Sequence, residues 1–251
     1  MDLRDKTIVI TGASNGIGAA AAQVMAKAGA NLVLGARRPD LLQQQADQIL
    51  QTGGRVEYLA GDVTDPAYAP ALTALAQEAF GRLDGAFNNA GIMGDLAGTA
   101  DQTLETWQEV LTTNLTGAFL SAKAQIPALK AKGGGAMVFT GSFVGCSNGG
   151  LPGMAAYAAS KAGLAGLVRS LANELAPEGI RVNALLPGGT HTPMAGEDPS
   201  VHDYFASLHP MGRMAQPEEI ARAAGFLLSE SASFMTGAMI AADGGVSVRF
   251  G

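Results

Sequence analysis

Charge is scarce in this chain. Of its 251 residues only 15% are Asp, Glu, Lys or Arg, and no block of Lys or Arg occurs. That argues against the basic stripe with which proteins grip nucleic acid or an anionic membrane. Cysteine is scarcer still. Cys146 stands alone, so no internal disulfide and no multi-cysteine zinc site can form. It is expected to be a buried structural thiol, with a place beside the pocket as the alternative. The three histidines, His191, His202 and His209, lack the His-x-x-x-His spacing of a helical metal site. They are read as ordinary loop residues, and no metal is expected. No stretch approaches a membrane span free of polar residues. The opening Met1–Lys6 is charged where a signal peptide would carry an apolar core. A soluble cytoplasmic protein is the expectation.

What is abundant is apolar surface. Apolar residues make up 47% of the chain, against a net charge of −6 from 16 basic and 22 acidic side chains. This length and composition suit one large domain, residues 1–251, with a well-buried core. Short β-branched runs alternate with helix-favouring stretches. Strands are predicted at Thr7–Ile10, Asn31–Leu34, Arg55–Leu59, Leu83–Phe87, Ala136–Thr140, Ile180–Leu186 and Ala238–Ala241. Helices are predicted at Ile17–Ala28, Pro39–Leu50, Pro66–Phe80, Leu104–Lys130, Met154–Ala176 and Pro217–Ser229. Apolar strands alternating with helices imply an α/β fold, a Rossmann-like doubly wound parallel sheet with helices on both faces. One irregular stretch, Gly188 to Gln216, carries Met194, Tyr204, Phe205, Leu208 and Met211. A segment of this kind reads as a substrate lid.

The first strand–helix junction reads Thr11-Gly12-Ala13-Ser14-Asn15-Gly16-Ile17-Gly18. Glycines there permit a tight turn, close backbone approach to a pyrophosphate and close helix–strand packing. The following helix N-terminus presents free N–H groups to phosphate oxygens. Gly12, Ser14, Asn15, Gly16, Ile17 and Gly18 are therefore candidate cofactor contacts. After the second strand, an acidic residue for a ribose 2′-hydroxyl is missing, and Arg37-Arg38 follows Gly35-Ala36 instead. Two guanidinium groups suit a 2′-phosphate. NADP(H) is thus expected over NAD(H), with a solvated arginine pair as the alternative.

Tyr157-Ala-Ala-Ser-Lys161 places a phenol and an ammonium four residues apart. On a helix the two share one face. A nearby ammonium favours phenolate, so the tyrosine is expected to titrate below its usual value and to exchange a proton in catalysis. Ser142, fifteen residues earlier at a strand end, offers a second polar contact.

Together these residues resemble a short-chain dehydrogenase/reductase of the compact single-domain branch, over essentially the whole chain. Asp62-Val63 resembles the adenine contact of that family, and Asn88-Asn89-Ala90-Gly91 its cofactor floor. Asn114, Ser142, Tyr157 and Lys161 match its catalytic set. Pro187-Gly188, with Thr190 and Thr192 after it, resembles the loop that holds the nicotinamide carboxamide. Two positions depart from the pattern. Asn15 stands where NADP-preferring members often carry a basic residue, and Thr190 where an aliphatic one is common.

The resemblance implies hydride transfer between the cofactor and a ketone, aldehyde or secondary alcohol. Tyr157 would be the general acid or base, and Lys161 would depress its pKa and bond the nicotinamide ribose. Ser142 would orient the substrate oxygen, and Asn114 would anchor a water linking Lys161 to solvent. It also implies a homotetramer built through Leu104–Lys130, Met154–Ala176 and the last strand. Phe143, Val144, Leu151, Met154 and Met194 are candidate pocket walls or ordinary core. They favour a neutral, mostly apolar small molecule. A β-ketoacyl-carrier-protein reductase is the first alternative. Glu178 argues against it, standing where such enzymes are commonly basic. A non-catalytic NADP(H)-binding regulator is the second, and the complete catalytic set speaks against it. An enoyl reductase would space Tyr and Lys more widely.

Overall fold

The computed structural model describes residues 1–147 and 150–249. Seven strands form one sheet: β1 (Thr7–Thr11), β2 (Asn31–Ala36), β3 (Arg55–Ala60), β4 (Gly85–Asn88), β5 (Gly135–Thr140), β6 (Ile180–Pro187) and β7 (Met239–Ala242). Their order is β3-β2-β1-β4-β5-β6-β7, and every pairing is parallel. The helices are α1 (Gly16–Lys27), α2 (Pro39–Gln51), α3 (Tyr68–Phe80), α4 (Leu104–Leu111), α5 (Gly117–Lys132), the single turn α6 (Phe143–Cys146), α7 (Ala155–Leu175), α8 (Pro199–Leu208) and α9 (Pro217–Leu228).

Alternation along the strands builds two cores. Ile8 and Ile10 of β1 and Leu32 and Leu34 of β2 join Met25, Leu42 and Ile220 on the α1–α2–α9 side. Val9 and Val33, one residue out of phase, point the other way, into a core with Leu72, Leu164 and Val168 of α3 and α7. A side chain of this kind, fully buried, contributes about 1.5–3 kcal/mol. Both faces of the sheet are therefore sealed, and the strand ends are left for chemistry. β1 pairs with both β2 and β4. The chain's winding reverses there, which is where α/β sheets bind ligands.

Polar side chains fix the frame at two points. The Asp84 carboxylate is buried. It accepts the Thr7 N–H at 3.0 Å and pairs with Arg82 and Lys132 at 2.7 and 2.8 Å. Asn88 and Gln125 exchange two amide hydrogen bonds of 2.9 Å, tying β4 to α5.

Two predicted elements need correction. The continuous helix expected over Leu104–Lys130 is interrupted by a π-helical turn, Thr112–Thr116, where Gly117 N–H bonds back to Thr112. Such turns are frequent at functional sites and carry no composition signature. The stretch read as irregular contains a ten-residue helix, α8. Its start was legible, since Asp198 caps it by accepting the Ser200 N–H at 2.8 Å and Pro199 occupies the first turn.

Candidate active site

Most residues singled out in the sequence line one cleft of about 1050 Å³, along the carboxyl ends of the strands, while Gly18 and the buried Asn114 stand behind its lining. At one end stand Arg37, Arg38, Asp62 and Val63. The glycine turn and Asn89–Gly91 form the middle. Ser142, Tyr157, Lys161 and the loop Pro187–Thr192 form the other end.

The turn is shaped for close approach. Gly12 and Gly16 hold φ of +68° and +53°, a region that favours glycine. A Cβ on Gly18 would sit 2.1 Å from the Gly12 carbonyl oxygen. One on Gly16 would press on the Thr192 side chain at 3.1 Å, so Thr192 closes over the turn. Asn89 ties three strand ends together, its amide donating to Thr11 O at 3.3 Å and its carbonyl accepting from Thr140 Oγ1 at 3.0 Å. Thr11 Oγ1 in turn accepts the Asn89 and Ala90 N–H groups. Asp62 turns inward and bonds the Thr64 N–H and hydroxyl at 2.9 Å.

Arg37 and Arg38 are exposed. Arg38 donates to Ser14 Oγ at 3.1 Å, which holds its guanidinium against the glycine turn. Neither arginine forms an ion pair among the described residues, so their charge faces the cleft uncompensated. A long cleft with a positive end and a glycine cradle that a single Cβ would fill is the fit a nicotinamide dinucleotide requires.

Tyr157 and Lys161 lie one turn apart on α7, as the spacing predicts. Lys161 is buried and donates from Nζ to Thr140 O at 2.8 Å. Burial lowers its pKa to about 8. Burial also pushes the Tyr157 phenol above its usual value, and a hydrogen bond with Ser142 works in the opposite direction. The lowering expected from Lys161 is therefore not realised in this geometry. The ammonium is directed at a backbone carbonyl, and loss of solvent outweighs the remaining attraction. Ser142 also accepts the Val144 N–H at 3.1 Å, which fixes its place after β5.

Asn114 sits in the π-helical turn, buried. Its side chain exchanges hydrogen bonds of 2.8 Å with Ile92 N–H and C=O and donates to Ser160 Oγ at 3.0 Å. Ser160 donates to Tyr157 O at 2.7 Å. Asn114 is thus joined to the tyrosine helix through Ser160. Gly91 lies between Asn114 and Lys161, since a Cβ there would stand 3.1 Å from Asn114 Oδ1 and 3.5 Å from Lys161 Nζ. Thr140 and Ser160 escaped the sequence reading. Thr140 meets Lys161 through its backbone carbonyl, which no motif records, whereas Ser160 lay in plain view inside the Tyr157–Lys161 stretch.

Phe143, Val144, Leu151 and Met154 cluster with Tyr157 and Phe205 as an apolar wall. Cys146 is only partly buried, and its Sγ–H contacts Lys161 O at 3.2 Å. Thr190 is buried, with its hydroxyl on Gly188 O at 3.0 Å. Among the described residues no three His, Cys, Asp or Glu side chains converge. None of their helices is long and apolar enough to cross a membrane.

A parallel sheet with a glycine cradle at its switch point and a tyrosine–lysine pair facing it defines a dinucleotide-dependent oxidoreductase. Comparison with known proteins narrows this. A family model described as enoyl-(acyl carrier protein) reductase matches residues 12–247. Cyclohexanol dehydrogenase of Acinetobacter sp. (strain SE19) is 38% identical over 240 residues, 96% of this chain and 94% of that enzyme. Cis-4-hydroxycyclohexanecarboxylate dehydrogenase of Sinomonas cyclohexanicum is 39% identical over 246 residues, 96% of each. The crystal structure of levodione reductase superposes with a TM-score of 0.94 at 33% identity, covering 99% of this chain and 100% of that one. The chain belongs to the short-chain dehydrogenase/reductase family. It is an oxidoreductase acting on CH–OH groups and their carbonyl counterparts, with a nicotinamide dinucleotide as cofactor.

Proposed function

We propose that this protein interconverts an alicyclic secondary alcohol and its ketone as a free small molecule, with NADP(H) preferred over NAD(H). The observation that carries this is the pairing of Ser142 and Tyr157 in one cleft, set against an apolar wall of Phe143, Leu151, Met154 and Phe205 with buried Lys161 behind it. A saturated ring fills such a wall, and its one oxygen meets the two hydroxyls. Relatives named for cyclohexanol and for a hydroxycyclohexane acid support the ring.

When bound, the dinucleotide supplies or accepts the hydride. The remaining work falls to the chain. Tyr157 gives its proton to the carbonyl oxygen in reduction and takes it back in oxidation. The Ser142 hydroxyl donates to that oxygen and stabilises charge as it develops. Lys161, buried with its pKa lowered to about 8, would hold the ribose side of the cleft and replace the tyrosine's proton. Asn114, locked by Ile92 and Ser160, sets the wall behind Lys161 along which a water can relay protons. Arg37 and Arg38 would hold the 2′-phosphate through charge-assisted hydrogen bonds. Gly188–Gln216, with α8, forms the lid.

Lys130 pairs with Glu178 at 2.9 Å. The pair lies where β5 and β6 begin, at the end of the sheet away from the cleft, so Glu178 does not bear on carrier recognition at its mouth. The enzyme works in the cytoplasm as a homotetramer through α5, α7 and β7. Phe119, 48% exposed on α5, and Phe234, fully exposed ahead of β7, are apolar groups suited to such contacts.

The test is a panel of cyclohexanols, cyclohexanones, open-chain ketones, an enoyl thioester and a β-ketoacyl carrier protein. Each is assayed with both dinucleotides by nicotinamide absorbance. The ring alcohols and ketones with NADP(H) should give the highest kcat/KM. Faster reduction of the enoyl C=C bond or of the carrier-bound substrate would overturn the reading.

A further inference from the structure

His209 lies outside the catalytic set, yet it is among the most completely enclosed polar groups near the site, only 4% exposed. It follows the last residue of α8. Its Nδ1 lies 2.6 Å from the Phe205 carbonyl of that helix, and its Nε2 accepts the Gly189 N–H at 2.9 Å. A carbonyl can only accept and an N–H can only donate. The imidazole is therefore in one neutral tautomer, protonated on Nδ1 and bare on Nε2.

The surroundings are cut to this ring. A Cβ on Gly188 would lie 2.5 Å from Nε2, one on Gly189 2.9 Å from Cε1, and one on Gly244 3.1 Å from Cδ2. Phe143, next to Ser142, packs edge-on to the ring with centroids 6.4 Å apart. Two separate segments, Gly188–Gly189 and Gly244, thus leave out a side chain where the imidazole sits. By hydrogen bonds the ring joins the lid helix, whose Phe205 lines the pocket, to the loop Pro187–Thr192 on the cofactor side. The far side of that loop is held by Ala215, through bonds to Gly189 O and from His191 N–H.

We propose that His209 is a positioning residue, a latch that fixes the nicotinamide-side loop to the lid helix and that closes only while its ring is neutral. The proposal rests on the reading of this cleft as an NADP(H) site. Protonation places a second N–H on Nε2, facing the Gly189 N–H. The acceptor is lost, two donors oppose each other, and loop and lid part. Several of the segments packed against the ring carry charged groups, and Arg249 donates to Ser207 O two residues before it. Asp243 lies beside Gly188, with its carboxylate committed to the Gly245 and Ser247 N–H groups. Arg213 is paired with Glu219 of α9 at 2.7 Å. On α8 itself are His202, stacked edge-on with His191, and Asp203.

The test uses the full chain as wild type, His209→Gln and His209→Leu. A Gln amide oxygen can take the Gly189 N–H but has no titration in this range. In the cofactor-free protein, amide exchange of residues 187–192 is measured from about pH 5 to pH 8 and corrected for intrinsic rates. Wild type should lose protection as pH falls. His209→Leu should be unprotected throughout, by about tenfold or more, and His209→Gln protected without the pH dependence. NADPH affinity by fluorescence should weaken about tenfold in His209→Leu and recover in His209→Gln. KM for cofactor should move more than kcat. The latch is overturned if His209→Leu matches wild type in exchange and affinity, or if His209→Gln keeps the wild-type pH dependence. Should His209→Leu not fold, the Gln variant alone decides. Failure of every variant to bind either dinucleotide would sink the NADP(H) reading, while the exchange data would still decide the latch.

Discussion

The Nζ of Lys161 lies 5.5 Å from the centre of the Tyr157 ring. Its hydrogen bond goes to Thr140 O, while Ser142 is the side chain that favours the phenolate. The proposed proton-transfer group is therefore shared between two elements, the end of β5 and helix α7. Tyr157→Phe keeps the ring against Met154 and Phe143 and removes only the hydroxyl. Turnover should fall by about 10²–10⁴-fold, while dinucleotide affinity, measured by titration, stays near wild type. Retention of most turnover would reject Tyr157 as the proton donor.

The proposed NADP(H) preference rests on Arg37 and Arg38 at the β2 end, neither of which forms an ion pair among the described residues. Hydrogen bonds to charged groups are worth about 1.5–3 kcal/mol. Arg37→Asp should therefore lower the NADP(H)/NAD(H) ratio of kcat/KM by about tenfold to a hundredfold. Arg38→Ala should also release Ser14, because its guanidinium is bonded to Ser14 Oγ. A wild-type enzyme that prefers NAD(H) contradicts the assignment before any variant is made.

The sheet was legible because most of its strands are apolar runs separated by helix-favouring stretches, the edge strand β3 with exposed Arg55 and Glu57 being the exception, so each of the seven was found within a few residues. The cleft was legible because glycine spacing and the Tyr157–Lys161 interval are local patterns. What stayed hidden is non-local. The π turn that holds Asn114 depends on how α4 and the turn itself pack against α7. The titration of Tyr157 depends on how deeply α7 is buried, which outweighs the sequence interval. His209 looks like any loop histidine until Gly188, Gly189 and Gly244, distant in sequence, are seen to close around it.

Gly18 tests the cradle by volume alone. A methyl there meets the Gly12 carbonyl oxygen at 2.1 Å and its carbon at 2.7 Å. Both are backbone atoms of a turn fixed by Asn89 and cannot swing aside. Gly18→Ala should cost about 1–3 kcal/mol of stability. It should also weaken dinucleotide binding about tenfold or more, since the turn must open where the pyrophosphate approaches. Denaturant unfolding and cofactor titration measure the two effects separately. An unchanged affinity would show that the cofactor does not use this turn.

Lys161 carries the clearest pH signature. Its folded-state pKa is lowered by burial from 10.5 to about 8. Below about pH 8 both folded and unfolded chains hold the proton, and burying the ammonium costs the full difference, about 3 kcal/mol. Between the two values the unfolded chain binds more protons, so stability contributed by this site rises with pH. Lys161→Met removes the charge but strands the Thr140 carbonyl, a loss of about 1 kcal/mol. The variant should thus be inactive yet more stable than wild type by about 1–2 kcal/mol near pH 7, cofactor-free. That advantage should shrink steadily towards about pH 10. Tyr157 also titrates in the alkaline range, but it is common to both proteins and cancels to first order in the difference. Urea unfolding of the pair at neutral and alkaline pH measures it. A wild type as stable as the variant at neutral pH would mean that the ammonium is well solvated and that its pKa is not depressed.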